Sequence, residues 1–227
     1  MRLGEMNWME IEAYLKKDNR IMLVLGSTEQ HGYLSTLADV KIPLAMADAA
    51  SQQCEVLVAP PVNFGCSPYF LAYPGTISLR VETLNNLVED IVRSLYSQGF
   101  KRILILNGHG GNSPAKLRLQ EIGQELPELR MLWYSWWLSE GVSAVAKAHG
   151  LKPYHANWSE AFSFVRVTAI PQQNKEPLET DRILNPEQSK DFYGDGIFGG
   201  LYQTDDAVMN EVFSAALKEI IRMLEVI

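Results

Sequence analysis

The chain carries two unbroken apolar runs, Ile21-Met22-Leu23-Val24-Leu25 and Ile103-Leu104-Ile105-Leu106, and each stops at a glycine-containing loop that holds a histidine. A strand with one wet face alternates apolar and polar residues, so runs without alternation predict strands covered on both sides. Covering both sides demands helices above and below a sheet, and the intervening segments read as helices. Asn7 with Glu10 resembles a capping box opening a helix that ends near Asn19, with Trp8, Ile11 and Leu15 on one face. Pro43 lies near the start of a helix reaching about Gln53, and Thr83 caps one running to Gly99. Ser113 and Pro114 read as N-cap and first residue of the next, Ser139 to His149 as a short helix stopped by Gly150, and Asp205 opens the last. Val56–Val58 and Met131–Tyr134 add two further strands. Strands and helices alternating in this way predict an α/β fold with a mainly parallel sheet, organised as a single domain over residues 1–227.

Composition narrows the classes of function. With 47% hydrophobic residues in 227, the chain has enough apolar material for a sizeable core. A net charge of -7 argues against nucleic acid and anionic membrane surfaces as partners. No apolar run approaches the roughly 18 residues of a membrane span, and the N-terminal stretch lacks the apolar centre of a signal peptide. Cys54 and Cys66 form no metal-ribbon or redox spacing. The expected compartment is the cytoplasm.

Both histidine loops belong at the carboxyl ends of their strands, where open α/β sheets build their sites. Glu29 and His31 stand two apart in an extended segment and so project the same way, and Asp39 follows ten residues after Glu29. His109 sits among Gly108, Gly110 and Gly111, which let the backbone approach a ligand. His155 and Glu160 follow in HANWSE. Carboxylates and neutral imidazoles suit zinc, manganese or iron, and one carboxylate can bridge two ions. Blander readings stand beside this one: Asp39 as a helix cap, the GHGGN loop as an anion cradle, and Glu160 as the third residue of a helix capped by Asn157. His149, in the last turn of a helix, reads as structural. Trp137 and Trp158 could wall an apolar pocket or belong to the core. Neither a GxSxG elbow nor an activated cysteine is present.

Taken together, GSTEQHG, Asp39, SPYFLAYPGTIS, NGHGGN, HANWSE and GIFGG resemble the creatininase (creatinine amidohydrolase) family. The resemblance implies a three-layer α/β/α sandwich and a metal-dependent hydrolase of non-peptide amide bonds, assembled as a homo-oligomer, often a hexamer. It implies that Glu29, Asp39 and His109 hold one divalent ion, that His31 and Asp39 hold a second, and that His155 serves as acid or base, delivering a proton to the leaving nitrogen. Where creatininase itself has a glutamate ligand two residues after the NGH histidine, this chain has Gly111, so Glu160 is expected to contribute both as a ligand and in catalysis. The family form EQHGPHLPLGTD is here EQHGYLSTLAD, and HAGExET is HANWSEA, so creatinine is not inherited as substrate. Ser67, Tyr69, Tyr73, Gly110, Trp137 and Trp158 are expected to shape a small amide pocket. A non-catalytic binding protein on the same scaffold and a peptide-processing enzyme remain the alternatives.

Overall fold

The computed structural model describes all 227 residues. Its centre is a four-stranded sheet built from β1 (Arg20–Leu25), β2 (Leu57–Val58), β3 (Arg102–Asn107) and β4 (Arg130–Ser135). The strands lie in the order β2-β1-β3-β4, and every pairing is parallel. The helices are α1 (Trp8–Leu15), α2 (Ala38–Cys54), α3 (Val81–Gln98), α4 (Ser113–Glu125), α5 (Glu140–Ala148), α6 (Pro186–Tyr193) and α7 (Asp206–Val226). A small antiparallel pair, β5 (Asn174–Lys175) and β6 (Gly200–Leu201), stands apart.

The unbroken apolar runs are explained by two cores. Met22, Val24, Leu104 and Leu106 meet α2, α5 and α7 through Met46, Ala146, Val212 and Ile220. Their neighbours Ile21, Leu23, Ile103 and Ile105 point the other way, into Leu84, Val88 and Val92 of α3 and Leu119 of α4. Successive side chains of a strand face opposite sides, so continuous apolarity is what two helical layers require. The result is a three-layer α/β/α sandwich. No helix is long and apolar enough to cross a membrane.

Several boundaries depart from the sequence reading. Helix α2 starts at Ala38 and runs through Pro43, which sits inside it. Proline there removes the N–H that would bond the Asp39 carbonyl, a defect confined to the first turns where it is best tolerated. Thr83 is the third residue of α3 and caps nothing; the start is set upstream, where the Leu79 N–H bonds the Gly65 carbonyl. Helix α1 stops at Leu15, before Asn19. Helix α6 escaped the reading although Asn185 and Gln188 form a capping box around Pro186. Only Ser189 and Tyr193 of this helix are buried, so it has almost no apolar stripe to betray it.

Candidate metal centre

In-register pairing sets Leu25 beside Asn107 and Asn107 beside Ser135, so the three long strands end at one level. Beyond that level β1 delivers Glu29, Gln30 and His31, the first turn of α2 delivers Asp39, and the loop after β3 delivers His109. The chain following α5 folds back over the same edge and brings His155 and Glu160. Residues more than a hundred positions apart thereby converge on three donor groups: Glu29, Asp39 and His109; His31, Asp39 and Glu160; and Glu29, His31 and His155. Donor atoms within each group lie within 4.8 Å of one another, and Asp39 belongs to two of the three.

Each oxygen of Asp39 faces a different ring. Oδ1 lies 3.0 Å from His31 Nε2, and Oδ2 lies 3.1 Å from His109 Nδ1. The far sides of both rings are tied to backbone carbonyls: His31 Nδ1–H donates to Glu29 O at 3.2 Å, and His109 Nε2–H donates to Cys66 O at 2.9 Å. A histidine whose outer nitrogen is occupied as donor turns the lone pair of the other nitrogen inward, the arrangement usual for metal-ligating imidazole. Lone pairs would then face carboxylate oxygens at hydrogen-bond range, which is repulsive unless a cation or a proton lies between them. Glu29 Oε2, His31 Nε2 and Asp39 Oδ2 are also buried without any hydrogen-bond partner. Orphaned buried groups of this kind are costly, and a shared divalent cation would satisfy all three.

Electrostatics describes the same demand for positive charge. Burial lifts the Glu29 carboxyl to about 7, with Asp39 adding to the effect, and burial likewise pushes Glu160 up. Burial opposes charge on His31, yet Asp39, Glu160 and Glu29 override it and raise the ring to about 10. His109 is raised to about 9 against burial by Glu29 and Asp39. Asp39 is held well below the ordinary range by the two rings despite its burial. Without metal, protons on the two rings offset the surrounding carboxylates below about pH 9. A ligating imidazole must surrender that proton. Adding zinc to metal-free protein at pH 8 should therefore release protons, and apparent affinity should climb with pH through 9 to 10. Calorimetry in buffers of different ionisation enthalpy measures both; an affinity flat in pH, with no release, would mean the rings were already neutral.

Gly111, at the position of the creatininase glutamate, has no space for a side chain. A Cβ there would lie 2.0 Å from the Cys66 carbonyl oxygen and 2.5 Å from His109 Nε2, the two atoms joined by the bond that orients His109. Glu160 Oε2 lies 3.8 Å from His31 Nε2. Its carboxylate accepts from the Ala156 N–H at 2.6 Å, not from the N–H of Asn157 that a capping box would use. Asn157 instead caps Ser159 in a short 3-10 turn over Trp158–Glu160. Ala156 is left-handed, with φ of 60°, a conformation costing an alanine roughly 1–2 kcal/mol. The turn that presents Glu160 and His155 is thus held against its local preference.

The donors border a cavity of about 350 Å³, walled by Tyr69, Gly110, Trp137, Tyr154 and His155. Trp158, expected at this wall, is buried in the α2/α5/α7 core, where its Nε1–H donates to the Lys152 carbonyl. Tyr73 is also off the wall, packed edge-on against Phe70. Ser67 is fully buried and sits behind His109, its Oγ 3.3 Å from Nε2 and 2.7 Å from Ser27 Oγ. Loop position points Ser67 and Tyr73, and aromatic character Trp158, toward the pocket, but neither tells which way a side chain turns. Tyr154 and Ser159 reach the cavity without having been expected there; only their adjacency to His155 and Glu160 hinted at it. His149 caps α5 and pairs with Glu211 at 2.9 Å, far from the donors in role.

His155, which the resemblance implies as acid or base, is enclosed by aromatic rings. Its ring packs against Phe70, Phe198 and His31 with centroids 4.8, 4.9 and 4.8 Å away. Burial first, and the neighbouring His31 second, push its ionisation well below the ordinary histidine value.

Known proteins resemble this chain in sequence and in fold. The creatininase family profile, described as creatinine amidohydrolase, matches residues 4–224. The chain is 35% identical over 118 residues to the creatinine amidohydrolase of Pseudomonas putida, covering 49% of this chain and 45% of that protein. It is 37% identical over 102 residues to the mycofactocin precursor peptide peptidase of Mycolicibacterium smegmatis, 42% of this chain and 41% of that protein. The matched stretch therefore spans less than half the length of either curated relative. A solved structure of manganese creatininase superposes with a TM-score of 0.84 at 20% identity, over 99% of this chain and 97% of that one. At that identity the likeness establishes the fold alone.

Proposed function

The chain belongs to the creatininase family, and from that premise we propose that it is a metal-dependent hydrolase cleaving the C–N bond of a small cyclic amide or formamide. One observation carries the reading: the two oxygens of a single buried carboxylate, Asp39, face the inward lone pairs of two histidines. In the proposal Glu29, Asp39 and His109 hold one zinc, manganese or iron ion, and His31, Asp39 and Glu160 hold a second where two bind. When bound, such an ion supplies Lewis acidity, polarising a carbonyl and lowering the pKa of a water from about 15.7 to about 7. Glu160, whose carboxyl burial has pushed up, takes the proton lost by the attacking water and returns it to the departing nitrogen, so no net proton is left on the protein. An amine leaves poorly until protonated, and a carboxyl raised above its ordinary range by burial suits both halves of that exchange. Trp137 and Tyr69 supply flat apolar walls that would stack on a planar amide. A cavity of about 350 Å³ lies at the small end of ligand sites and favours a small molecule. The proposal extends to a homo-oligomer acting in the cytoplasm.

Likeness to a peptide peptidase supports a second reading, in which the substrate is a peptide terminus. A panel of lactams, formamides, cyclic ureas and short peptides, assayed with added manganese or zinc for amine, carboxylate and formate release, separates the readings. Metal-dependent turnover of a non-peptide member supports the proposal, and turnover of peptides alone supports the second. Tight binding with no turnover of any would leave a non-catalytic binding protein.

A further inference from the structure

Gln30 stands between Glu29 and His31 and belongs to none of the three donor groups. Its amide orientation is fixed by groups that have only one role each. The Gly32 N–H donates to Oε1 at 3.0 Å, and Nε2 donates to the Gly196 carbonyl at 3.0 Å. A flipped amide would set donor against donor and acceptor against acceptor at both contacts. Gly196, in the GIFGG turn, reaches this position because it has no side chain; a Cβ would lie 1.8 Å from Gln30 Oε1. The second N–H of Gln30 is left with one target, His155 Nε2 at 2.9 Å. That nitrogen must accept, so the single proton of the ring sits on Nδ1. Nδ1 is the nitrogen turned toward the metal site, 3.9 Å from Glu29 Oε1, on a residue that walls the cavity.

We infer that Gln30 is a positioning residue that locks His155 as a neutral Nδ1–H donor, which hydrogen-bonds the substrate oxygen as it gains negative charge and does not protonate the leaving nitrogen. A neutral ring giving up its only proton would become an imidazolate, whereas lending that N–H to a developing oxyanion costs no transfer. The clamp of Gly32, Gly196 and the aromatic rings of Phe70 and Phe198 keeps the donor aimed. The catalytic half of this inference rests on the hydrolase proposed above; the tautomer itself does not.

Nitrogen-15 NMR of zinc-loaded, histidine-labelled protein tests it with no substrate present. The expected result is a pyrrole-type shift at Nδ1 of His155 and a pyridine-type shift at Nε2, with the Gln30 side-chain amide coupled to Nε2. In Gln30→Glu, whose carboxylate accepts where the amide donated, a proton should appear on Nε2. A protonated Nε2 in the wild type overturns the inference outright, as does an Nε2 still bare in the variant. Should the variant fail to fold, the wild-type spectrum decides alone. A protein that hydrolyses no amide would end the functional reading and leave this spectrum unchanged, so the two failures are told apart.

Discussion

Asp39→Asn is expected to strip the protein of metal and of turnover in one step while leaving it folded. Asp39 belongs to both donor groups that hold a histidine against each of its oxygens, and its side chain is almost completely buried. An asparagine fills the same space but offers one neutral oxygen, and it turns an N–H toward one ring, where a hydrogen bond to the inward lone pair keeps the local fold. The ions then lose their shared charge and both histidine partners lose their orientation toward it. Lewis-acid stabilisation is worth several kcal/mol, and each 1.4 kcal/mol or so is tenfold in rate, so hydrolysis should drop by on the order of 10³-fold or more. Elemental analysis, circular dichroism and turnover on the same preparation make the comparison. Wild-type metal content in the variant would remove Asp39 from the centre and the two-group description with it.

His155→Ala should behave in the opposite way with respect to metal. The ring is not required by either Asp39 group, so zinc or manganese content should stay at the wild-type level. Turnover should fall by about 10²- to 10³-fold, the usual cost of removing one preorganised donor to an oxyanion. Leaving-group dependence distinguishes the two roles this histidine could play. A lost oxyanion donor slows an alkylamide and an activated anilide by similar factors, whereas a lost proton donor slows the alkylamide far more. Equal turnover by variant and wild type would take His155 out of the chemistry altogether. Some loss of thermal stability is expected too, because the ring fills space between Phe70 and Phe198.

Gly111 and Glu160 mark where this chain departs from and where it keeps the family pattern. At Gly111 the backbone passes too close to Cys66 and His109 for any glutamate to return. Near His31 the carboxylate is that of Glu160, in the segment that follows α5, on a turn bought with a left-handed alanine.

Much of this was legible without coordinates, for a definite reason. Strands buried on both faces have to be apolar throughout, so β1 and β3 announced themselves and the parallel sandwich followed. Parallel strands end together, which is why Glu29, His31, Asp39 and His109 were expected near one another before any distance was known. Periodicity carries no such information in loops. Packing turns Trp158 and Tyr73 into the interior, which neither residue type nor loop position shows, and α6 buries too little to leave a periodic signal. Periodicity also had no means of assigning the proton on His155, since that depends on a glutamine amide held by Gly32 and by Gly196, over 160 positions away in the chain. Local pattern is set by what a segment must bury, and it determined the layers and the strand ends. Direction of loop side chains, the sharing of Asp39 between two rings and the tautomer of His155 are set by contacts between remote segments, and only the tertiary structure decided them.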